Sequence, residues 1–174
     1  MHVTERPAPS VEWTVRRWAN SADFDRGLPP TGAIDGQTGE PLAAEESFGP
    51  NLLLNEGIAA LLNLLIGAAE TAFSNANAYL GVGDSTTAAS ASQTGLQAAT
   101  NKLYKAMAAS YPQISGQTVT WRAEFGDAEA NFSWQEFTVA SGNSDAADNL
   151  NRKVQDLGTK ASGTWTLDLA ITFS

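Results

Sequence analysis

The stretch TWTLDLAITFS, residues 164–174, alternates without a break: Trp165, Leu167, Leu169, Ile171 and Phe173 fall on one side, Thr164, Thr166, Asp168, Ala170 and Thr172 on the other. A period of two marks a strand with one face buried. It predicts Trp165, Leu167, Leu169 and Ile171 in a core, with Thr166 and Asp168 pointing outward. Residues 118–125, TVTWRAEF, repeat the pattern, with Val119, Trp121, Ala123 and Phe125 on one face. Between the two, residues 131–139 change phase: Phe132 and Trp134 share one parity, Phe137 and Val139 the other, which predicts a bulge. Gly126-Asp127 and Ser141-Gly142-Asn143 supply turns.

Working outward, residues 78–84 (AYLGVGD) and 103–107 (LYKAM) read as two more strands. Residues 85–101, made of Ser, Thr, Ala, Gln and Asn around Leu96, read as a surface loop. The one helical pattern is NLLLNEGIAALLNLLIGAAE, residues 51–70. Asn55 suits an N-cap and Glu56 the first turn; Ile58, Leu61, Leu62, Leu65 and Ile66 form an apolar stripe; Gly67 suits the position after the last turn. The spacing predicts a short helix that covers the sheet. The fold class is therefore mainly β: an antiparallel β-sandwich or partly open barrel with one short covering helix and an extended N-terminal arm.

The arm is inferred from composition. Six of the seven prolines (Pro7, Pro9, Pro29, Pro30, Pro41, Pro50) precede residue 51, and large apolar residues there are few: chiefly Trp13, Trp18, Phe24 and Phe48. Proline withholds ladder donors and fixes φ, so the segment is expected to run extended and to dock on something. This divides the chain into an arm, 1–50, and a β-rich globular domain, 51–174. Within the arm, Val11, Trp13 and Val15 alternate with Glu12, Thr14 and Arg16, a strand that needs a sheet edge in its own domain or a neighbour's. Trp13, Arg16, Arg17, Trp18 and Phe24 are the candidate partner-interface residues, since Trp and Arg are favoured anchors. The other reading, that both tryptophans cover this chain's own core, stays open.

Composition narrows the function. The 174 residues include no cysteine, which removes disulfides, thiolate nucleophiles and cysteine metal sites. The only histidine is His2, so no Ser-His-Asp or Cys-His arrangement is expected within a folded core. A formal net charge of −9 argues against a nucleic-acid partner. No uninterrupted apolar run of about 18 residues suggests a membrane span, and no secretory signal pattern opens the chain. The acidic pairs Asp127/Glu129, Asp145/Asp148 and Asp23/Asp25 lie among turn residues and read as solvated faces rather than as catalytic or calcium-binding pairs. Neither an enzyme nor a cofactor is expected. Gly81-Val82-Gly83-Asp84 lacks the helix and third glycine of a dinucleotide loop and reads as glycines ending a strand.

The run NLLLNEG (51–57), the helix, YLGVGD (79–84) and the Ser/Thr/Ala loop reaching Leu96 resemble tailed-phage virion proteins: tail-collar fibre proteins and small head-decoration or minor structural proteins. FGDAEANFSWQEFTV (125–139), LNRKV (150–154) and LGTKASGTWTLDLAIT (157–172) extend the resemblance over residues 51–174. It implies a β-rich fold, no catalysis and a homo-oligomer, commonly a trimer. With no fibre shaft after Ser174, it points to a capsid decoration (cement) protein. Such a protein would sit on the outer surface of a virion assembled in host cytoplasm, anchored through its arm to the major capsid protein or other virion subunits. The alternatives are a tail, neck or collar fibre attachment module, and a host-glycan-binding adhesin.

Overall fold

A computed structural model of the chain describes residues 9–173. His2 and the end of the chain at Ser174 lie outside the described residues.

The first part of the chain holds β1 (Ser10–Trp18), α1 (Ser21–Asp25), β2 (Ala33–Ile34), β3 (Pro41–Leu42), β4 (Glu45–Phe48) and β5 (Leu52–Leu53). Then come α2 (Asn55–Leu65), β6 (Tyr79–Gly83), β7 (Lys102–Ala106) and β8 (Gln113–Ser115). The remaining strands are β9 (Thr118–Phe125), β10 (Glu136–Ala140), β11 (Asn151–Val154) and β12 (Thr164–Thr172). Two five-stranded antiparallel sheets, β4-β1-β12-β9-β8 and β5-β11-β10-β6-β7, form a β-sandwich, with β2 and β3 as a small separate pair.

The sheets meet through the residues that alternation selects. Trp13, Val15, Trp121, Ala123, Phe125, Trp165, Leu167 and Leu169 come from the first sheet; Leu80, Val82, Phe137 and Val139 come from the second. Trp134 sits between them, edge-on to Trp165 at 5.0 Å and to Phe125 at 4.8 Å. Such aromatic edge contacts add to the apolar area removed from water.

The N-terminal segment is not a separate arm. β1 lies inside the first sheet, with Trp13 opposite Leu169 of β12 on one side and Phe48 of β4 on the other. From Trp13 to Arg17 the ladder is satisfied on both sides within the chain, so this stretch offers no edge to a neighbour. Proline density misleads because Pro29, Pro30 and Pro50 lie outside the strands and Pro41 opens the short β3. They punctuate four strands rather than exclude them. A boundary at residue 50 therefore cuts through the sandwich.

Two smaller expectations also change. Thr166 and Asp168 do occupy the outer face of β12, but they are buried. Asp168 accepts hydrogen bonds from Arg16 of β1 and Arg122 of β9, and these long side chains roof it. Phe173, expected on the buried face, is half exposed at the end of the sandwich. The phase change before Phe137 is not a bulge within one strand. Residues 131–134 run as an irregular segment held to the chain around Gly158 (Trp134 N donates to Gly158 O at 2.9 Å), and β10 starts only at Glu136.

Candidate functional site

The five residues expected to contact a partner are committed to this chain. Trp13 is fully buried, stacked on Phe48 and close to Phe137. Arg17, also fully buried, lies over the Trp165 ring and donates to Leu157 O, Ala43 O and Glu46 Oε2. Burial lowers its pKa, and the carboxylate of Glu46 works against that fall. Arg16 joins Glu45 and Asp168 on the outer face. Trp18 donates its indole N–H to Leu28 O and meets Phe24 edge-on. The tryptophans thus cover the chain's own core, and the alternation of β1 had already placed Trp13 with Val11 and Val15.

Among the described residues, the uncovered apolar surface lies elsewhere, on α2 and at the nearby end of the sandwich. The helix runs as the spacing predicts. Its first residue is Asn55, with Leu54 at the cap and no side-chain capping bond. At the other end Gly67 has φ 71°, with Gly67 N donating to Leu64 O and Ala68 N to Asn63 O, the paired bonds of a Schellman turn.

Its orientation is the reverse of the expected one. Gly57 and Ala60 are the buried residues. A Cβ at Gly57 would stand 2.3 Å from Leu150 Cα and 2.4 Å from Leu150 O, so helix backbone rests directly on the backbone leading into β11. Only the small stripe permits this approach, and the large stripe is consequently turned outward. Leu65 and Ile66 are 81% and 78% exposed, and Leu62 is 58% exposed.

Beside this helix is an apolar groove of about 510 Å³. Leu61 and Leu64 of α2 form one wall; Val119, Trp121 and Ile171 of the first sheet form another, with Phe73 and Leu150 also lining it. Ile114 and Phe173 project at its rim, Ile114 81% exposed. Isolated exposed apolar residues are ordinary, whereas a contiguous set around a groove marks an interaction surface. No charged residue occurs from Gly57 to Ala69, so the helix part of the surface is also uncharged in a chain of net charge −9.

The outer face of the second sheet is built differently. Residues 85–101 lie across it as expected of a loop, but Leu96 and Ala98 are buried and a charged pair pins the loop down. Glu136 and Arg152 are both completely buried, with Arg152 Nε donating to Glu136 Oε2 at 2.8 Å. Glu136 also accepts from Gln97 N and Ala98 N, while Arg152 Nη1 donates to Thr87 O and Gln93 Oε1. Alternate glycines in β6 make room for this arrangement. A Cβ at Gly83 would meet Glu136 Oε1 at 2.5 Å, and one at Gly81 would meet Tyr104 and Thr138. The glycines of YLGVGD are thus cut-outs for neighbouring side chains rather than a strand terminus alone.

At the next corner Asp145 accepts from Tyr104 Oη and Leu96 N and pairs with Lys102. Burial, followed by the neighbouring Asp145, pushes the Tyr104 phenol far above its ordinary value. Asp127 and Glu129 are likewise occupied: Asp127 accepts from Gly163 N, and Glu129 pairs with Lys105 and accepts from Gly126 N. Glu70 and Asp148 sit close enough that Asp148 is raised, by burial first and by Glu70 second. Among the described residues no group of three or more His, Asp or Glu is placed to hold a metal ion. No helix among them is long and apolar enough to cross a membrane.

No family model, no curated protein and no solved structure matches this chain.

Sequence reasoning missed the exposed face because the stripe Ile58-Leu61-Leu62-Leu65 says that a face is apolar, not what it faces. The signal that was present is the opposing small stripe, Gly57 and Ala60, which marks the side of close approach.

Proposed function

We propose that this chain is a non-enzymatic structural subunit of a tailed-bacteriophage virion, in the first instance a capsid decoration protein on the particle's outer surface. The observation that carries the proposal is the uncovered apolar surface made by α2 and the adjoining groove. A protein that acts alone in solution gains nothing from Leu62, Leu65, Ile66 and Ile114 in water, whereas an assembly subunit buries them on docking. We therefore place an assembly contact on this surface rather than on Trp13, Arg16, Arg17, Trp18 and Phe24. The resemblance of residues 51–174 to virion proteins gives the assembly its kind, and the acidic surface suits a position away from packaged nucleic acid.

The paired charges of the sandwich serve its own folding: Glu136 with Arg152 holds a loop, and Asp168 with Arg16 and Arg122 closes the outer face of a sheet. The experiment is negative-stain imaging of intact particles with the chain labelled by antibody. Label distributed over the head supports decoration. Label confined to the neck or tail makes it an attachment module there, and particles without label refute the virion reading.

A further inference from the structure

The outward face of α2 has a pattern of its own. Ile58, Leu61 and Leu65 are spaced three and four residues apart, the a–d–a spacing with which one helix packs along another, and Leu62 flanks that seam. All four are exposed. We propose that this face is a self-association surface, on which α2 of a second copy of the chain packs against α2 of the first. The inference rests on the reading that the chain is an assembly subunit, and it names the partner of the same surface.

Three observations select another copy. The seam bears no charge from Gly57 to Ala69, so it offers nothing for a charged partner to recognise, and a second α2 matches it in length and chemistry. The surface contains both parts of a self-complementary joint: projecting Leu65 and Ile66, and beside them an apolar groove of about 510 Å³ that has room for such side chains. A two-fold interface needs this, because the same patch must supply knob and hole. The area also suits. The exposed stripe with the groove and its rim presents on the order of several hundred Å² of apolar surface, approaching the roughly 800 Å² each partner gives a standard interface.

The helix is rigidly placed for the role. Leu54 N donates to Leu150 O and Glu56 accepts from Asn149 N, so the N-terminal turn is tied to the second sheet and the seam is presented without a folding step.

The test is the molar mass of the full chain by light scattering after size exclusion. It is measured between about 1 and 100 µM, the range that populates an interface of micromolar affinity. The expected result is a dimer of the 18.3 kDa chain. Leu62→Glu and Leu65→Glu should each weaken association by at least about thirty-fold, the size of an interface hot spot, with the near-ultraviolet circular dichroism unchanged. Ile34→Glu, at an exposed apolar residue outside this surface, should leave the mass as it is. If a glutamate variant misfolds, Leu65→Ala keeps helix propensity and should still shift the equilibrium toward monomer. A wild-type chain that stays at 18.3 kDa throughout overturns the inference, and so does an oligomer indifferent to all three α2 variants. An oligomer absent from particles refutes the virion reading alone; a monomer found on particles refutes the self-association alone.

Discussion

Replacing Glu136 with Gln should be among the most damaging conservative changes in the chain. The side chain keeps its size but loses its charge and one of its two acceptor oxygens, so the completely buried Arg152 guanidinium loses its carboxylate partner and keeps the neutral acceptors Thr87 O and Gln93 Oε1. The glutamine amide also presents N–H groups where Arg152 Nε, Gln97 N and Ala98 N already donate. Breaking a buried pair from one side costs about 3–5 kcal/mol, mostly from the charge left behind. That is a large share of the roughly 5–15 kcal/mol that holds an ordinary domain together. Arg152→Met should cost less, because the backbone donors of Gln97 and Ala98 still hold the carboxylate. The double variant should be less destabilised than the two singles added, with a coupling of at least about 1 kcal/mol, as expected for residues in one network. Urea unfolding of the four proteins measures this cycle. Hydrogen exchange at Gln97 and Ala98 localises it, with protection in the wild type and fast exchange in Glu136→Gln. A loss below about 1 kcal/mol, with those two amides still protected, would refute the claim that this pair pins the loop.

Gly57→Ala should destabilise, although alanine is the better helix former by about 1 kcal/mol, because the new Cβ meets the backbone of Leu150. Thermal melts should rank it below Gly67→Ala, which faces open space and carries only the cost of φ 71°, about 1–2 kcal/mol. Truncation to residues 51–174 should yield a chain without a cooperative melt, since β1 and β4 are two of the five strands of the first sheet; a folded, soluble fragment would contradict the register of β1. Lys160 is buried, donating to Gly126 O and Asn131 Oδ1, and burial lowers its pKa to about 8 from 10.5. The folded protein therefore releases this proton first, so its penalty is fully present below pH 8 and is relieved as pH rises from about 8 to 10.5. Unfolding free energy measured across that window should carry an upward contribution that Lys160→Met removes, and identical slopes for the two proteins would contradict it.

The parts of the fold legible in the sequence are those set by strict alternation. In β9 and β12 every second residue from Trp121 to Phe125 and from Trp165 to Ile171 is in the core, because a period of two allows only one face to be apolar. β1 was legible as a strand for the same reason, but its partners were not. Proline and a shortage of apolar residues describe the loops around β1, and pairing with β12 joins residues more than 140 positions apart. The outer face of β12 was misjudged for a related reason. Asp168 reads as a solvent-facing acid until two arginines from neighbouring strands are known to lie over it. Glu136 and Arg152 gave no local sign at all, since a buried pair in sequence looks like two surface charges. Gly83 opposite Glu136 and Gly81 opposite Thr138 were the one trace of crowded side chains on that face. For α2, helix period and terminus were readable, and the direction of its large stripe was not.

A virion subunit is a stoichiometric part of the particle. Virions purified from a lysate that expresses the chain from its native locus can be digested and their subunits counted by quantitative mass spectrometry. The chain is expected in purified particles at a fixed ratio to the major capsid protein, with hundreds of copies for a decoration protein, and Leu65→Glu, although folded, is expected to be lost from them. A chain left wholly in the soluble fraction would contradict the virion reading, and particles that retain Leu65→Glu at the wild-type ratio would contradict the part given to α2.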